Sequence, residues 1–391
     1  MARRPPAGDG RLRVAVAGLA LRHPHTGTWR YAREVIAALG AQPDIRASVV
    51  PASDAAPLSM ERDQVRMVYP PRCPVHLGNH GDKLYWEQVG FRWAAIRTQA
   101  DVWYSPHFAM PLLPSRPTVL SIHDMIPYTL PEYAGTRAAR AYFRLQALAA
   151  KQATAVVTLS RHAKMEIERL LGIDEGRVHV VMPGVDGAFS PVPDPEARGR
   201  VRRRYGLGER YLLYIGGADA RKNIGVLLRA IAALPNGSDV PELVVVAGEP
   251  KPGQEALFPD WRAQARSLGI GDRVRFIALV AEEDLAEVYR GAEVFCFPSR
   301  AEGFGLNPLE AMACGTAVIS SSATSLPEAV GDAGLLRAPD DVAGWTRAIL
   351  QASGDSALRA DLERRGLARA AAFNWAETGA RVVEIIRAAA S

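Results

Sequence analysis

The stretch that most constrains how this chain folds runs over residues 295–319, FCFPSRAEGFGLNPLEAMACGTAVI. An apolar strand end at residues 294–297 meets Pro298 and Ser299, which break it. Gly303 and Gly305 then permit a tight turn with backbone angles closed to most residues. Residues 306–313 read as a short helix with Gly315 as its C-terminal cap, and a second apolar strand follows. The helix start offers free N–H groups and the positive end of a dipole, which suits an anion. Glu302 lies in the turn and Glu310 in the helix. Two carboxylates so placed can accept from the hydroxyls of one bound polyol, and neither needs to be a nucleophile.

The same α/β rhythm runs through the rest of the chain. Residues 11–20 read as a buried strand and 28–39 as the helix after it; the loop between them, LRHPHTGTW, has no G-x-G-x-x-G fingerprint. His23 and His25 read as exposed loop residues, residues 45–51 as a second strand, and 57–81 as long Pro- and Gly-rich loops. Tyr85-Trp86-Glu87-Gln88 opens a helix in which Trp86 can equally be a core aromatic. Residues 101–105 and 118–122 are strands, and the second delivers His123 and Asp124 to its carboxyl end, where open parallel sheets place ligands. A helix over 133–151, a strand over 153–159, a helix opening at Ser160-Arg161 and a strand over 178–182 complete a first domain. Residues 187–194 read as a linker.

The second half opens with a basic helix at 196–205, read as a solvated face. A strand at 211–215 feeds GGADARKN, and a helix follows over 224–234. Gly216 and Gly217 let the backbone approach a phosphate; Arg221 and Lys222 stand at the helix entrance with their charged heads free, and Asn223 caps the helix. Two cations at a helix start can neutralise a leaving diphosphate without a metal. Further β-α units follow at 243–248 and 274–280, then a turn at Leu326-Pro327-Glu328 and closing helices at 341–351, 358–373 and 374–387.

Composition narrows the function. At 391 residues with 48% apolar content the chain can bury two cores. It has no apolar run long enough to span a bilayer, no secretory signal at its start, and three scattered cysteines (Cys73, Cys296, Cys314) that suit a reducing cytoplasm better than a disulfide framework or a zinc site. The net charge of +5 is carried by residues 1–190. That surplus suits anionic lipid or a phosphorylated acceptor as well as plain solvation. No nucleic-acid signature accompanies it.

EGFGLNPLEAMACGTAVI closely resembles the E-x7-E signature of the retaining glycosyltransferases of family 4, with Asn307 and Ala317 where the family usually has Pro. The resemblance extends over essentially the whole chain and is weakest at residues 41–100. It implies a GT-B fold: two Rossmann-like domains facing a central cleft, residues 11–190 binding the acceptor and 196–373 the nucleotide sugar, with a C-terminal helix at 374–391 crossing back to the first domain. The donor site it implies comprises Gly27, Gly216, Gly217, Gly303, Phe304, Gly305, Leu306 and Glu310, with Glu310 on the ribose. Glu302 on the sugar hydroxyls, His123 beside the reacting end, Arg221 and Lys222 are implied as catalytic. Trp86, Asp124, Ser160 and Arg161 fall on the acceptor side.

The family uses no metal and no cofactor beyond the donor. WEQ, IHDMIP and YLLYIGG…RKN look most like bacterial mannosyltransferases that assemble surface polysaccharide from GDP-mannose. That implies a glycan or lipid-linked acceptor and a cytoplasmic enzyme, peripheral on the inner membrane face through its basic half. Residues 277–280 replace a glycine-bearing family segment, which leaves the base open. UDP-sugar transferases, a glycosidase, a nucleotide-sugar epimerase and a non-catalytic relative are the competing readings. The Arg-Lys pair has no task in a hydrolase that never meets a diphosphate. The E-x7-E layout is not expected of an epimerase, and retention of both glutamates with His123 argues against a silent binder.

Overall fold

The computed structural model describes residues 10–24, 26–52, 65–71, 78–251 and 253–391; His25, Cys73 and much of the expected 57–81 loop lie outside the described residues. The chain divides into two compact units. One is Met1–Gly184 together with Trp375–Ser391, and the other is Val185–Asn374.

In the first unit seven parallel strands, β1 (Leu12–Gly18), β2 (Ile45–Pro51), β3 (Val65–Met67), β4 (Val102–Ser105), β5 (Thr118–Ser121), β6 (Ala155–Thr158) and β7 (Val178–Val180), are ordered β3-β2-β1-β4-β5-β6-β7. In the second, β8 (Tyr211–Ile215), β9 (Glu242–Val246), β10 (Val274–Ile277), β11 (Val294–Phe297), β12 (Ala317–Ser321) and β13 (Leu335–Arg337) are also parallel, ordered β10-β9-β8-β11-β12-β13. Strands such as YLLYI and VFCF are buried along their whole length, because helices cover both faces of a parallel sheet. Strand order reverses between β1 and β4 and between β8 and β11. At such switch points the loops leaving the carboxyl ends part and open a crevice for ligands.

Several elements differ from the sequence expectation. The helix expected to open at Tyr85 starts at Gly78, and its Trp86–Phe91 portion is π-helical. Trp86 is 7% exposed, lies tilted against Phe91 with the ring centroids 5.9 Å apart and donates from Nε1 to the Pro51 carbonyl at 2.9 Å. It is a core aromatic, so its indole is not offered to an acceptor. The expected 133–151 helix is two pieces, a 3-10 turn at Pro131–Ala134 and a helix at Arg137–Gln152 capped by Thr136, whose side chain accepts from Ala139 N. Leu326–Val330 is a short helix rather than a turn, with Pro327 in its first turn, where a missing N–H costs nothing. Residues 185–190, expected with the first domain, belong to the second unit. Val185 N donates to Phe373 O at 3.1 Å, and Phe189 packs edge-on against Tyr289 at 5.8 Å.

The C-terminal helix Trp375–Ala390 packs on the first unit's helix Gly27–Gly40. Thr378 Oγ1 donates to Met182 O at 2.8 Å, and Arg387 pairs with Asp44 at 2.7 Å. A Cβ on Gly379 would meet the Ala38 Cβ at 2.5 Å, so the close crossing of the two helices requires glycine there. Among the described residues no helix is long and apolar enough to cross a membrane. Cys296 and Cys314 are buried free thiols, and burial pushes each up to about 12.

Candidate active site

The second unit brings two of the sequence-predicted segments together at its switch point. The loop after β8 carries Gly216, Gly217, Asp219, Arg221 and Lys222; the turn after β11 carries Glu302 and Gly303. The two loops are stitched by backbone and side chain. Arg300 N donates to Arg221 O at 2.8 Å, and Asn223 Nδ2 donates to Pro298 O at 3.2 Å and Pro339 O at 2.6 Å. Asn223 sits at φ 58 and makes no side-chain cap. Its left-handed backbone, which asparagine tolerates better than most residues, turns its amide into a cross-brace instead.

Arg221 and Lys222 do not have free heads. Lys222 Nζ lies 2.7 Å from Glu302 Oε1, and Arg221 Nη1 lies 3.1 Å from the same oxygen. Arg221 Nε is 3.3 Å from Asp219 Oδ1, and its Nη1 donates to Ala301 O at 2.5 Å. All four side chains are nearly buried, with at most 13% exposure. Burial alone would raise the Glu302 carboxyl, but the Lys222 and Arg221 charges outweigh it and hold the group below the usual carboxylate range. Two cations therefore face two carboxylates, and the four side chains are close to charge balance among themselves.

The two glycines that precede this network have packing reasons of their own. A Cβ at Gly216 would meet the Tyr214 hydroxyl at 2.6 Å, and one at Gly217 would meet Asp219 Oδ2 at 2.6 Å. Gly305 adopts φ 122, and a Cβ there would press on Leu326 at 2.8 Å. This glycine starts the helix Leu306–Ala313, with Leu306 half-buried at its first position and Gly315 at φ 77 just past its end. Phe304 is 3% exposed and packs edge-on against Phe373 at 5.5 Å, so only its backbone is available to a ligand. Glu310 is 6% exposed and accepts from the Tyr289 hydroxyl at 3.0 Å. Asn307, where the family has Pro, donates to the same hydroxyl at 3.3 Å.

Sequence reasoning missed the residues that hold the Glu302 turn. Glu302 N donates to Thr324 Oγ1 at 3.0 Å; Ser325 Oγ donates to Glu302 O at 2.8 Å and to Phe304 O at 3.0 Å. Thr324 pays for this with a left-handed φ of 51, unusual for a β-branched residue. Nothing in SSATS signals that strain. Asp219, in the same loop as Arg221, is a further residue that sequence reasoning did not single out, and it pairs with Arg221.

In the first unit His123 follows β5 at the sheet's carboxyl edge. Its ring lies edge-on to Tyr31 at 4.6 Å, and Nε2 is buried with no hydrogen-bond partner among the described residues. Burial pushes His123 down to about 4, so the ring is neutral near pH 7. Asp124 Oδ1 accepts from Ile126 N at 3.0 Å, which fixes the turn after β5. Ser160 is fully buried, and its Oγ caps the helix Arg161–Leu171 by accepting from Ala163 N at 3.0 Å. This replaces the expected ligand-facing role with a capping one, typically about 1 kcal/mol of helix stability. Arg161 is exposed as the first residue of that helix. Gly27 is exposed as the first residue of its helix, where Thr26 accepts from Trp29 N at 3.2 Å. His23 is exposed. Among the described residues no group of three or more His, Cys, Asp or Glu is placed to hold a metal ion.

Comparison with known proteins defines the class. Residues 198–369 match the model of glycosyl transferases group 1, and residues 25–189 that of glycosyltransferase family 4. The O-antigen chain mannosyltransferase B of Escherichia coli is 34% identical over 283 residues, which cover 72% of this chain and 73% of that protein. The chain belongs to this glycosyltransferase family and is a glycosyltransferase similar to bacterial mannosyltransferases. The serotype-specific mannosyltransferase WbdA of Escherichia coli is 31% identical over 68% of this chain, which spans only 33% of that longer protein. Sucrose-phosphate synthase from Thermosynechococcus elongatus superposes with a TM-score of 0.75 at 22% identity, over 97% of this chain and 99% of that one. WaaG, a glycosyltransferase involved in lipopolysaccharide biosynthesis, also gives 0.75, at 20% identity over 95% and 99% of the two chains. The fold is GT-B.

Proposed function

We propose that this glycosyltransferase moves mannose from GDP-mannose to a hydroxyl of a growing, lipid-linked glycan, with retention of configuration and without a metal ion or a further cofactor. The observation that carries the reading is the buried Arg221–Lys222–Glu302 cluster at the β8/β11 switch point. The two mannosyltransferase relatives support the choice of sugar.

In this reading the diphosphate takes Lys222 and Arg221 from Glu302, and the released carboxylate accepts from hydroxyls of the donor sugar. Glu310 takes the ribose. The bond from the sugar's anomeric carbon to the phosphate oxygen breaks with its electron pair leaving on the phosphate. The acceptor oxygen bonds to that carbon from the same side, and its proton passes to the departing phosphate oxygen. The cations offset the charge that develops there in a site screened little by water. His123, neutral near pH 7, serves the reacting end as a hydrogen-bonding group rather than as a charge.

Thermal melting with GDP, UDP and ADP tests the donor, because a ligand that binds the folded state raises the melting temperature with its affinity. GDP should protect most. Equal or stronger protection by UDP would remove the mannose reading and leave the transferase intact. Activity should also survive EDTA; a loss restored by Mg²⁺ or Mn²⁺ would contradict metal independence.

A further inference from the structure

The Glu310 carboxylate is reached by a short relay of side chains that begins at Asn307, the position where the family usually has Pro. Tyr289, on the helix Glu282–Gly291, donates from its hydroxyl to Glu310 Oε2 at 3.0 Å, and Asn307 Nδ2 donates to that hydroxyl at 3.3 Å. Chemistry sets the direction. A carboxylate only accepts, so the phenol proton goes to Glu310, and the phenol oxygen is left as an acceptor that only a donor can satisfy. The asparagine amide supplies that donor; a proline has neither a side-chain donor nor an N–H. A hydroxyl that accepts one hydrogen bond donates the next more strongly, so Asn307 strengthens the hold of Tyr289 on Glu310.

The middle member of the relay is fixed in place. Tyr289 is fully buried; its ring meets Phe295 edge-on at 5.3 Å and Phe189 edge-on at 5.8 Å, and its carbonyl accepts from Thr316 Oγ1 at 2.7 Å. Burial and the neighbouring Glu310 charge hold the phenol well above its ordinary value, so it keeps its proton and stays a donor. Asn307 and Glu310 lie three positions apart on the helix Leu306–Ala313, hence on one side of it. A glutamate side chain has three rotatable bonds, and a loose one loses that freedom when it grips a ligand. Held beforehand by Tyr289, Glu310 has less of it left to lose.

We propose that Tyr289 and Asn307 are positioning residues for the donor's ribose: acting in series, they hold the Glu310 carboxylate where it accepts from the ribose hydroxyls, and so set the preference of this chain for a ribonucleotide. The proposal rests on the reading that Glu310 takes the ribose, and it holds for any base.

The test is calorimetric titration of the full chain with GDP and with the GDP analogue that lacks both ribose hydroxyls, and in parallel with UDP and its analogue, so that the outcome does not hang on the base. The ratio of the two dissociation constants is the readout. The parent should prefer the ribonucleotide by about tenfold or more, and Glu310→Ala, which removes the acceptor, should abolish the preference. Tyr289→Phe keeps the ring and loses only the hydroxyl; it should cut the preference roughly fivefold while the analogue binds as before. Asn307→Ala, at a half-buried site outside the core, should cut it about twofold to threefold. If the parent does not discriminate, or Glu310→Ala discriminates as the parent does, the ribose reading fails and the proposal with it. If Glu310→Ala loses the preference while Tyr289→Phe and Asn307→Ala keep the parental ratio, the positioning role alone is overturned. Equal weakening of both ligands by Tyr289→Phe, with a lowered melting temperature, would also overturn it and make the relay a brace within the fold.

Discussion

Glu302 in the second unit and Glu87 in the first are both nearly buried carboxylates with a lysine beside them, yet their environments push them in opposite directions. Glu302 has Lys222 at 2.7 Å and Arg221 at 3.1 Å, and it stays ionised. Glu87 has its lysine, Lys83, only at 4.0 Å, and it accepts from the Tyr142 hydroxyl, which in turn accepts from Gln146. Burial dominates there, and although Lys83 and Tyr142 pull the other way, the carboxyl rises to about 7. Two close cations hold a charge that one distant cation cannot. The first arrangement holds two cations against an ionised counter-ion at a ligand loop; the second is a polar brace within the fold.

The largest effect expected from this contrast is on turnover. Lys222→Ala should slow transfer by roughly 30- to 1,000-fold, corresponding to about 2–4 kcal/mol of transition-state stabilisation from a buried charged contact. Steady-state rates within threefold of the parent would remove Lys222 from the chemistry.

Glu87→Gln should act on stability instead. Because the folded carboxyl titrates near 7 and the unfolded one near the ordinary glutamate value of 4.5, the folded state holds the extra proton between those values. Stability from this group is therefore full below 4.5 and is lost as pH rises through 7. The amide needs no proton, so the variant should gain on the order of 1–3 kcal/mol over the parent above pH 7 and lose that advantage in acid. Denaturant melts at two pH values decide it; a difference independent of pH would show that Glu87 does not titrate in this way.

Much of the second unit's site was legible because it is contiguous in the chain. Strand, glycine turn and helix over 294–313 match the structure element for element, and the residues meant for a donor, from Gly216 to Lys222 and from Glu302 to Glu310, lie on two loops and the helix that follows the second, at one switch point. What the sequence did not disclose lies across the fold. The Glu302 counter-ion that occupies both cations, the Thr324 and Ser325 clamp and the Asn223 brace all join residues many positions apart. In the first unit the opposite error arose. Trp86 and Ser160 stand in family-like motifs, but one fills the core and the other caps a helix, because a motif fixes residue types and burial decides which atoms remain available.

The clamp gives the smallest effect. Ser325→Ala removes hydrogen bonds to the Glu302 and Phe304 carbonyls and should cost about 1 kcal/mol, seen as a few-fold loss in kcat/KM with the melting temperature nearly unchanged. A fall in melting temperature with no kinetic change would make the clamp structural only.

Calorimetric titration of the parent and of Lys222→Ala with GDP and with guanosine tests the central claim most directly, since the two ligands differ only in the diphosphate. The account predicts that Lys222→Ala weakens GDP binding by about tenfold or more and leaves guanosine binding as it was. Equal losses for both ligands, or no loss for GDP, would contradict a diphosphate site built on Lys222 and Arg221.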